Sequence, residues 1–299
     1  MRFKATLLVC GLVGFGFGCG TTSKKKTGKK LEPGVAWQVT SGVQTPESAY
    51  HDRKSGYLFV SQIGGGGAKA VDNDGWITKM TTDGKVVKSK WATGLSAPKG
   101  MRSFGGTLWV TDINRIVSFD IRTGKMQREV PVKGAKFLND LAIDRHGTVY
   151  FSDMFTSTIY RYKFGKVDVL DSGEKLKHPN GLLVKGDELI VAAWGPGIQE
   201  DFSTTGPGPL MAINLKNGKR RQITSKGIGH LDGVESDGRG GYIVSDWMAG
   251  KIYHISAKGK VRTVAKRDKG TADLAYLPKK RLIIVPEMLK NRITALEMK

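Results

Sequence analysis

Six polar side chains recur along this sequence at nearly even spacing. They are Glu47, Lys99, Asn139, Asn180, Asp232 and Asp273, and the steps between them are 52, 40, 41, 52 and 41 residues. All but Lys99 offer oxygen acceptors. Oxygen donors suit a hard cation such as Ca²⁺, which takes carboxylates, amide carbonyls and water at flexible geometry. Glu47 and Asp232 carry two negative charges, enough to neutralise a divalent ion, and Asn139 and Asn180 add oxygens without excess charge. No Cys or His cluster has the spacing of a zinc site. Taken singly, Asn180-Gly181 and Asp232-Gly233 read as turns, because Asn-Gly and Asp-Gly serve wherever the chain needs a positive φ. Glu47-Ser48 and Asn139-Asp140 lack the glycine yet hold the same place in the repeat. The set therefore reads as a metal or ligand site.

Such scattered residues can meet only if the fold brings them to one axis. About ten residues after each comes a β-rich run: Tyr57–Val60, Thr107–Val110, Thr148–Phe151, Glu188–Val191, Gly241–Val244 and Arg281–Ile284. A period of roughly 40 residues with several strands per unit is the signature of a β-propeller. In residues 135–174, Leu141–Ile143, Thr148–Ser152, Thr158–Tyr162 and Lys166–Leu170 read as four strands separated by short turns. The last unit, 268–299, supplies only three, near Leu274–Tyr276, Leu282–Val285 and Ile293–Glu297. Val35–Thr40 is an unassigned strand of the right kind, and pairing it there removes a sheet edge. The expectation is all-β: a six-bladed propeller over 33–299, closed by an N-terminal strand. Gln62–Gly75 and Trp194–Gly208 are long Gly-rich inserts in opposite blades, on the face that carries the polar ring. Loops of that length in a compact domain are usually functional.

The first residues read as targeting. Arg2 and Lys4 precede an apolar and Gly stretch from Ala5 to Gly18, too short for a membrane span of ~20 residues. The only cysteines are Cys10 and Cys19, both in this region, so no disulfide holds the body. Gly16-Phe17-Gly18-Cys19-Gly20 resembles the lipid-attachment box of bacterial lipoproteins, except that Gly16 stands where Leu is usual. A plain secretory signal or a retained anchor stays open beside lipidation. The expected organisation is a signal segment over 1–18, then a lipidated Cys19 and a basic flexible linker over 19–32 that includes SKKKTGKK. The protein is expected in the bacterial cell envelope, lipid-anchored on a periplasmic or outer-surface face.

The formal charge is +21, and removing 1–18 deletes Arg2 and Lys4 and no acid, leaving +19. The basic residues are spread over turns and outer strands, with no aromatic platform or nucleic-acid motif among them. Nucleic acid is therefore not the expected partner. An anionic envelope surface fits better, and a monomer is expected.

The segments PESAYHDRKSGYLFV, FLNDLAIDRHGTVYFSDM, HPNGLLVKGDELIV and HLDGVESDGRGGYIVSD are similar to the gluconolactonase, senescence-marker-protein and luciferin-regenerating-enzyme family of six-bladed propellers. The resemblance runs through residues 33–299. It implies one divalent cation, often Ca²⁺ with Zn²⁺ or Mn²⁺ as alternatives, held by Glu47, Asn180 and Asp232. It further implies Asn139 beside the metal, Asp232 as general base, and a lactone or ester substrate. The chain departs from the family at Phe137, where Arg is common, and at Gln62, where Asp is common.

If the chain is an enzyme, Asp232 and Asn139 are the catalytic candidates, and Asn139, Lys99 and Asp273 the substrate-binding ones. Lys99 either pairs with Asp273 or binds a substrate carboxylate. His178 and His230 stand two residues before Asn180 and Asp232, and an unperturbed imidazole, with a pKa of about 6.5, suits proton transfer. A non-catalytic envelope propeller that binds a small ligand or a partner protein would share the same ring.

Overall fold

A computed structural model describes residues 34–298. The signal segment, Cys19 and the basic linker lie outside the described residues. Strand β1 (Val35–Val39) comes first. Blade 1 holds β2 (Pro46–Asp52), β3 (Tyr57–Gln62), β4 (Gly75–Met80) and β5 (Val86–Leu95). Blade 2 holds β6 (Pro98–Phe104), β7 (Thr107–Asp112), β8 (Arg115–Asp120) and β9 (Met126–Pro131). Blade 3 holds β10 (Leu138–Ile143), β11 (Val149–Asp153), β12 (Thr158–Lys163) and β13 (Lys166–Ser172). Blade 4 holds β14 (Pro179–Lys185), β15 (Glu188–Ala193), β16 (Leu210–Asn214) and β17 (Arg220–Gln222). Blade 5 holds β18 (Leu231–Ser236), β19 (Tyr242–Asp246), β20 (Lys251–Ile255) and β21 (Val261–Lys266). Blade 6 holds β22 (Ala275–Leu277), β23 (Leu282–Glu287) and β24 (Arg292–Glu297), and β1 completes it.

Each sheet has four antiparallel strands in sequence order, apart from the blade that β1 closes. The register there runs from Val35↔Leu296 to Val39↔Ile293, so the N-terminal strand occupies the outer edge, as the sequence suggests.

The core lies between blades, which explains why the second strands read as nearly unbroken apolar runs. On β3, Leu58 and Val60 pack with Ile284 and Ile293 of blade 6, while Phe59 packs with Met101 and Leu108 of blade 2. Successive side chains on a strand point to opposite faces, so a strand with neighbours on both sides is apolar at every position. Fully burying each such side chain contributes about 1.5–3 kcal/mol.

Strand direction gives the ring two distinct faces. The first and third strands of every blade run from an upper face to a lower one, and the second and fourth return. The inserts within 63–74 and 194–209 therefore both belong to the upper face.

Candidate functional site

Glu47, Lys99, Asn139, Asn180 and Asp232 are each the second residue of the innermost strand of their blade. The backbone explains how they reach the axis. Each inner strand pairs at its first residue and then breaks register: Pro98 pairs with Asp112, and the next pair is Met101 with Val110. The same break follows Pro46, Leu138, Pro179 and Leu231. A bulge of this kind leaves residues unpaired and re-aims a side chain. All five side chains are buried.

The glycines that follow do a different job from the one their dipeptides suggest. Neither Gly181 nor Gly233 has a positive φ. A Cβ on Gly181 would lie 1.9 Å from the carbonyl oxygen of Asp232, and one on Gly233 would lie 2.3 Å from Asp273 Oδ1. Close approach of neighbouring inner strands, not a turn, requires glycine there.

Blade 6 departs from the expected register. Thr271 bridges Glu287 as Leu231 pairs with Asp246, so the ring position of blade 6 is Ala272, and the last step is 40 residues rather than 41. Asp273 sits one residue further on, in register with Ser48, whose hydroxyl donates to Asp273 Oδ2 at 2.5 Å. It does not line the cavity described below. It belongs to a lower layer with Asp140, Arg102 and Glu235, in which Arg102 Nη2 lies 3.3 Å from Glu235 Oε1. Burial works against the Arg102 charge, but Glu235, Asp140 and Asp273 outweigh it and raise its pKa.

Above the ring lies a cavity of about 270 Å³. Its polar floor is Glu47, Lys99, Asn139, Asn180 and Asp232, and its walls include Phe137, Met154, Trp194, Phe202, Trp247 and Met288. The two long loops close over it. Lys69 of one reaches Glu200 of the other at 2.9 Å, and its ammonium lies 4.4 Å from the Phe155 ring centre. The Trp194 indole N–H donates to the Phe202 carbonyl at 2.9 Å, fixing the second loop on the aromatic cluster.

Floor electrostatics follow from crowding and burial. Burial raises the Glu47 pKa well above the usual carboxylate range, Asp232 adds to the rise, and Lys99 opposes it. Burial, then the Asp140 charge, pushes Asp232 up to about 8, with a contact to Asn180 opposing. Burial brings Lys99 down to about 8 against the pull of Glu47 and Asp112. Among the described residues Lys99 pairs with no carboxylate; its ammonium donates to the carbonyls of Ala97 at 2.9 Å and Ala68 at 3.2 Å and sits 4.4 Å from the Phe137 ring centre. It thereby ties the first long loop to the ring.

The two histidines turn away from the cavity. His178 Nδ1 is 2.8 Å from the Met154 carbonyl, and its Nε2 faces Glu174 Oε2 at 3.6 Å. His230 Nε2 meets Thr204 Oγ1 at 2.9 Å, with the ring packed edge-on against Trp194. Neither lines the cavity.

Asp112, Asp153 and Asp246, which build the site, went unread in the sequence. Asp153 accepts the backbone N–H groups of Lys136 at 2.7 Å, Phe137 at 3.2 Å and Thr156 at 3.2 Å. Asp112 and Asp246 bracket their blades in the same way, and Gln62 Oε1 does so in blade 1 through the Gln44 N–H at 2.7 Å. The preceding hydroxyl clamps the bulge: Ser152 Oγ accepts from Asp140 N at 3.0 Å and donates to the Asn180 carbonyl of the next blade at 2.7 Å. The recurring pairs Thr111-Asp112, Ser152-Asp153 and Ser245-Asp246 are the signal that could have revealed them.

The fold and ring define a six-bladed propeller with a polar axial site under two overhanging loops. The SMP-30/Gluconolactonase/LRE-like region profile matches residues 45–268, and the chain belongs to that family. No curated protein matches it in sequence. Among solved structures, a gluconolactonase from Xanthomonas campestris is similar at 16% identity and TM-score 0.64, covering 86% of this chain and 87% of its own. Catalytically inactive virginiamycin B lyase from Staphylococcus aureus, solved with quinupristin, is similar at 15% identity and TM-score 0.59, covering 88% and 98%. At these identities the likeness concerns the fold.

Proposed function

We propose that this protein is a lactonase-like hydrolase whose site holds one divalent cation through Glu47, Asn180 and Asp232 and acts on lactones or esters with an apolar body. Family membership supports the hydrolase in general terms. One observation carries the cation: Glu47 Oε2 and Asn180 Oδ1 are buried without a hydrogen-bond partner, on the same floor as Asp232. Burying such atoms unpaired is costly, and a cation would satisfy them. Among the described residues no three His, Cys, Asp or Glu side chains form a metal-ligand group. The donor set is instead two carboxylates and an amide oxygen, which suits Ca²⁺ better than zinc.

When bound, the cation supplies Lewis-acid polarisation of a substrate carbonyl. The chain's own residues do the rest. Asn139, whose amide lies 4.0 Å from Met154 Sδ on the cavity wall, holds the substrate's polar end in this reading. Asp232 as a carboxylate accepts a proton from attacking water. Phe137, Trp194 and Phe202 exclude bulk water, and they offer an alkyl or aryl body a better surface than a polyhydroxylated sugar, whose hydroxyls would go unpaired on these walls. Export and acylation at Cys19 complete the reading and rest on the sequence alone.

The test is a panel of gluconolactone, alkyl-substituted lactones and aryl esters on protein stripped by chelator and refilled with Ca²⁺, Mn²⁺ or Zn²⁺. Turnover that returns with metal and favours the apolar members is the expected result. Metal-independent rates, or none on any member, overturn it. A binding-only propeller draws on the two histidines, because their turning away leaves on the floor only Asp232, itself a proposed ligand, and Lys99, whose ammonium is engaged by the Ala97 and Ala68 carbonyls. Saturable binding of an unhydrolysed lactone by metal-loaded protein would establish that second reading.

A further inference from the structure

The two faces of the propeller carry very different charge. The segments that join strands on the lower face hold fourteen Lys and Arg against four Asp, a surplus of ten. Those on the upper face hold nine Lys and Arg against seven Asp and Glu, a surplus of two. All fourteen lower-face basic residues are exposed. The densest run is Lys279-Lys280-Arg281 in blade 6, and Arg53 of blade 1 lines a cavity together with Lys279 and Lys280. The lower-face acids that pair, Asp187 with Lys216, Asp83 with Lys85 and Asp237 with His254, leave most of the basic charge without a carboxylate partner among the described residues.

Two further observations belong to this face. Phe164 stands at the tip of the β12–β13 hairpin with 91% of its surface exposed, between Lys163 and Lys166. A wholly exposed aromatic at a hairpin tip contributes nothing to the core. The other observation is connectivity. β1 runs antiparallel to β24, so Gly34 and Val35 lie at the lower end of blade 6, where Glu297 N–H donates to the Gly34 carbonyl at 2.8 Å. A tether upstream of Gly34 thus joins the propeller at its basic face.

We propose that the lower face docks on an anionic lipid bilayer, with Phe164 entering the headgroup region, and that the axial cavity consequently opens away from the membrane. The proposal is independent of the hydrolase reading. Basic residues near an anionic leaflet are attracted within about a Debye length, so many exposed cations on one face act together. An apolar ring such as that of Phe164 gains by burial at the boundary between headgroups and acyl chains.

The experiment uses the full chain carrying Cys19→Ser, so that acylation plays no part. It measures co-sedimentation with phosphatidylcholine vesicles and with vesicles containing about 30% phosphatidylglycerol, at about 0.15 M salt. The expected result is binding to the anionic vesicles only. The triple variant Lys279→Glu, Lys280→Glu, Arg281→Glu should weaken it at least tenfold, and Phe164→Ser a few-fold. The upper-face triple Lys133→Glu, Lys136→Glu, Lys175→Glu makes the same change in net charge and should leave binding within twofold. Equal losses from both triples would show a net-charge effect and overturn the face assignment. Equal binding to neutral vesicles, or none to anionic ones, overturns the proposal. So does tighter binding to a duplex oligonucleotide than to the vesicles, lost with the lower triple, which would assign the face to nucleic acid. Unchanged melting temperatures confirm that the exposed turn substitutions leave the fold intact.

Discussion

Lys69 and Glu200 lie 131 residues apart in sequence, yet their charged groups meet at 2.9 Å above the ring. Each belongs to the long insert of its own blade, and the two blades stand opposite one another. The pair is exposed, so it adds little stability, on the order of 0–1 kcal/mol. Its consequence is local. Lys69→Ala should leave the melting temperature nearly unchanged while amide exchange in 63–74 and 194–209 accelerates, since the loops lose their shared contact. Unchanged exchange would show that Lys99 and the aromatic cluster hold the loops without it.

Cation binding to the folded state should raise stability. At a free-metal concentration about 100 times the dissociation constant the gain is about 2.7 kcal/mol. Chelator should lower the melting temperature of the wild type, and Glu47→Gln or Asp232→Ala should abolish most of the difference. A wild type that melts identically with chelator and with excess Ca²⁺ refutes the cation site.

The metal-free protein should lose stability as pH rises. Burial and neighbouring charge raise the folded-state pKa of Asp232 to about 8 and that of Glu47 above its usual range. Between the unfolded value near 4 and that raised value, the folded state binds more protons than the unfolded state, so stability falls with increasing pH. Asp232→Asn should flatten part of this slope between pH 5 and 8, as read by urea unfolding. A steeper slope in the variant would contradict the assignment.

Asp153 holds three backbone N–H groups beside the cavity. Asp153→Ala leaves them unpaired, at roughly 1–3 kcal/mol for each buried group. Denaturant titration should show a loss of about 3 kcal/mol or more, and Asp153→Asn, which keeps one oxygen, should lose less. Equal losses would mean that charge, not the acceptor, is what the site uses.

Much of the architecture was legible because the second strand of each blade is buried on both faces and the unit repeats. The inner-strand polar residue marked five of six blades, and the unpaired Val35–Thr40 segment announced the closure. Blade 6 defeated the reading for a local reason. Thr271-Ala272-Asp273 places an acid one residue late, and a small side chain in the true ring position gives no chemical signal. His178 was misleading in another way. Its spacing to Asn180 is right, but its φ of 58° and its bond to the Met154 carbonyl turn the ring toward Glu174. Side-chain direction at a strand entrance depends on backbone torsion, which residue spacing does not encode.

The pairing of β1 with β24 also governs how the molecule comes into being. The strand that closes blade 6 precedes all the other described strands and its partner follows them, so the ring cannot be sealed until nearly the whole propeller has been synthesised. Until then β1 presents an open strand edge, and closure requires a contact of nearly maximal sequence separation. Such contacts form late and make folding slow. A nascent chain folding progressively spends that interval with an edge free to pair wrongly, so blades completed early stay exposed to mispairing until β24 arrives.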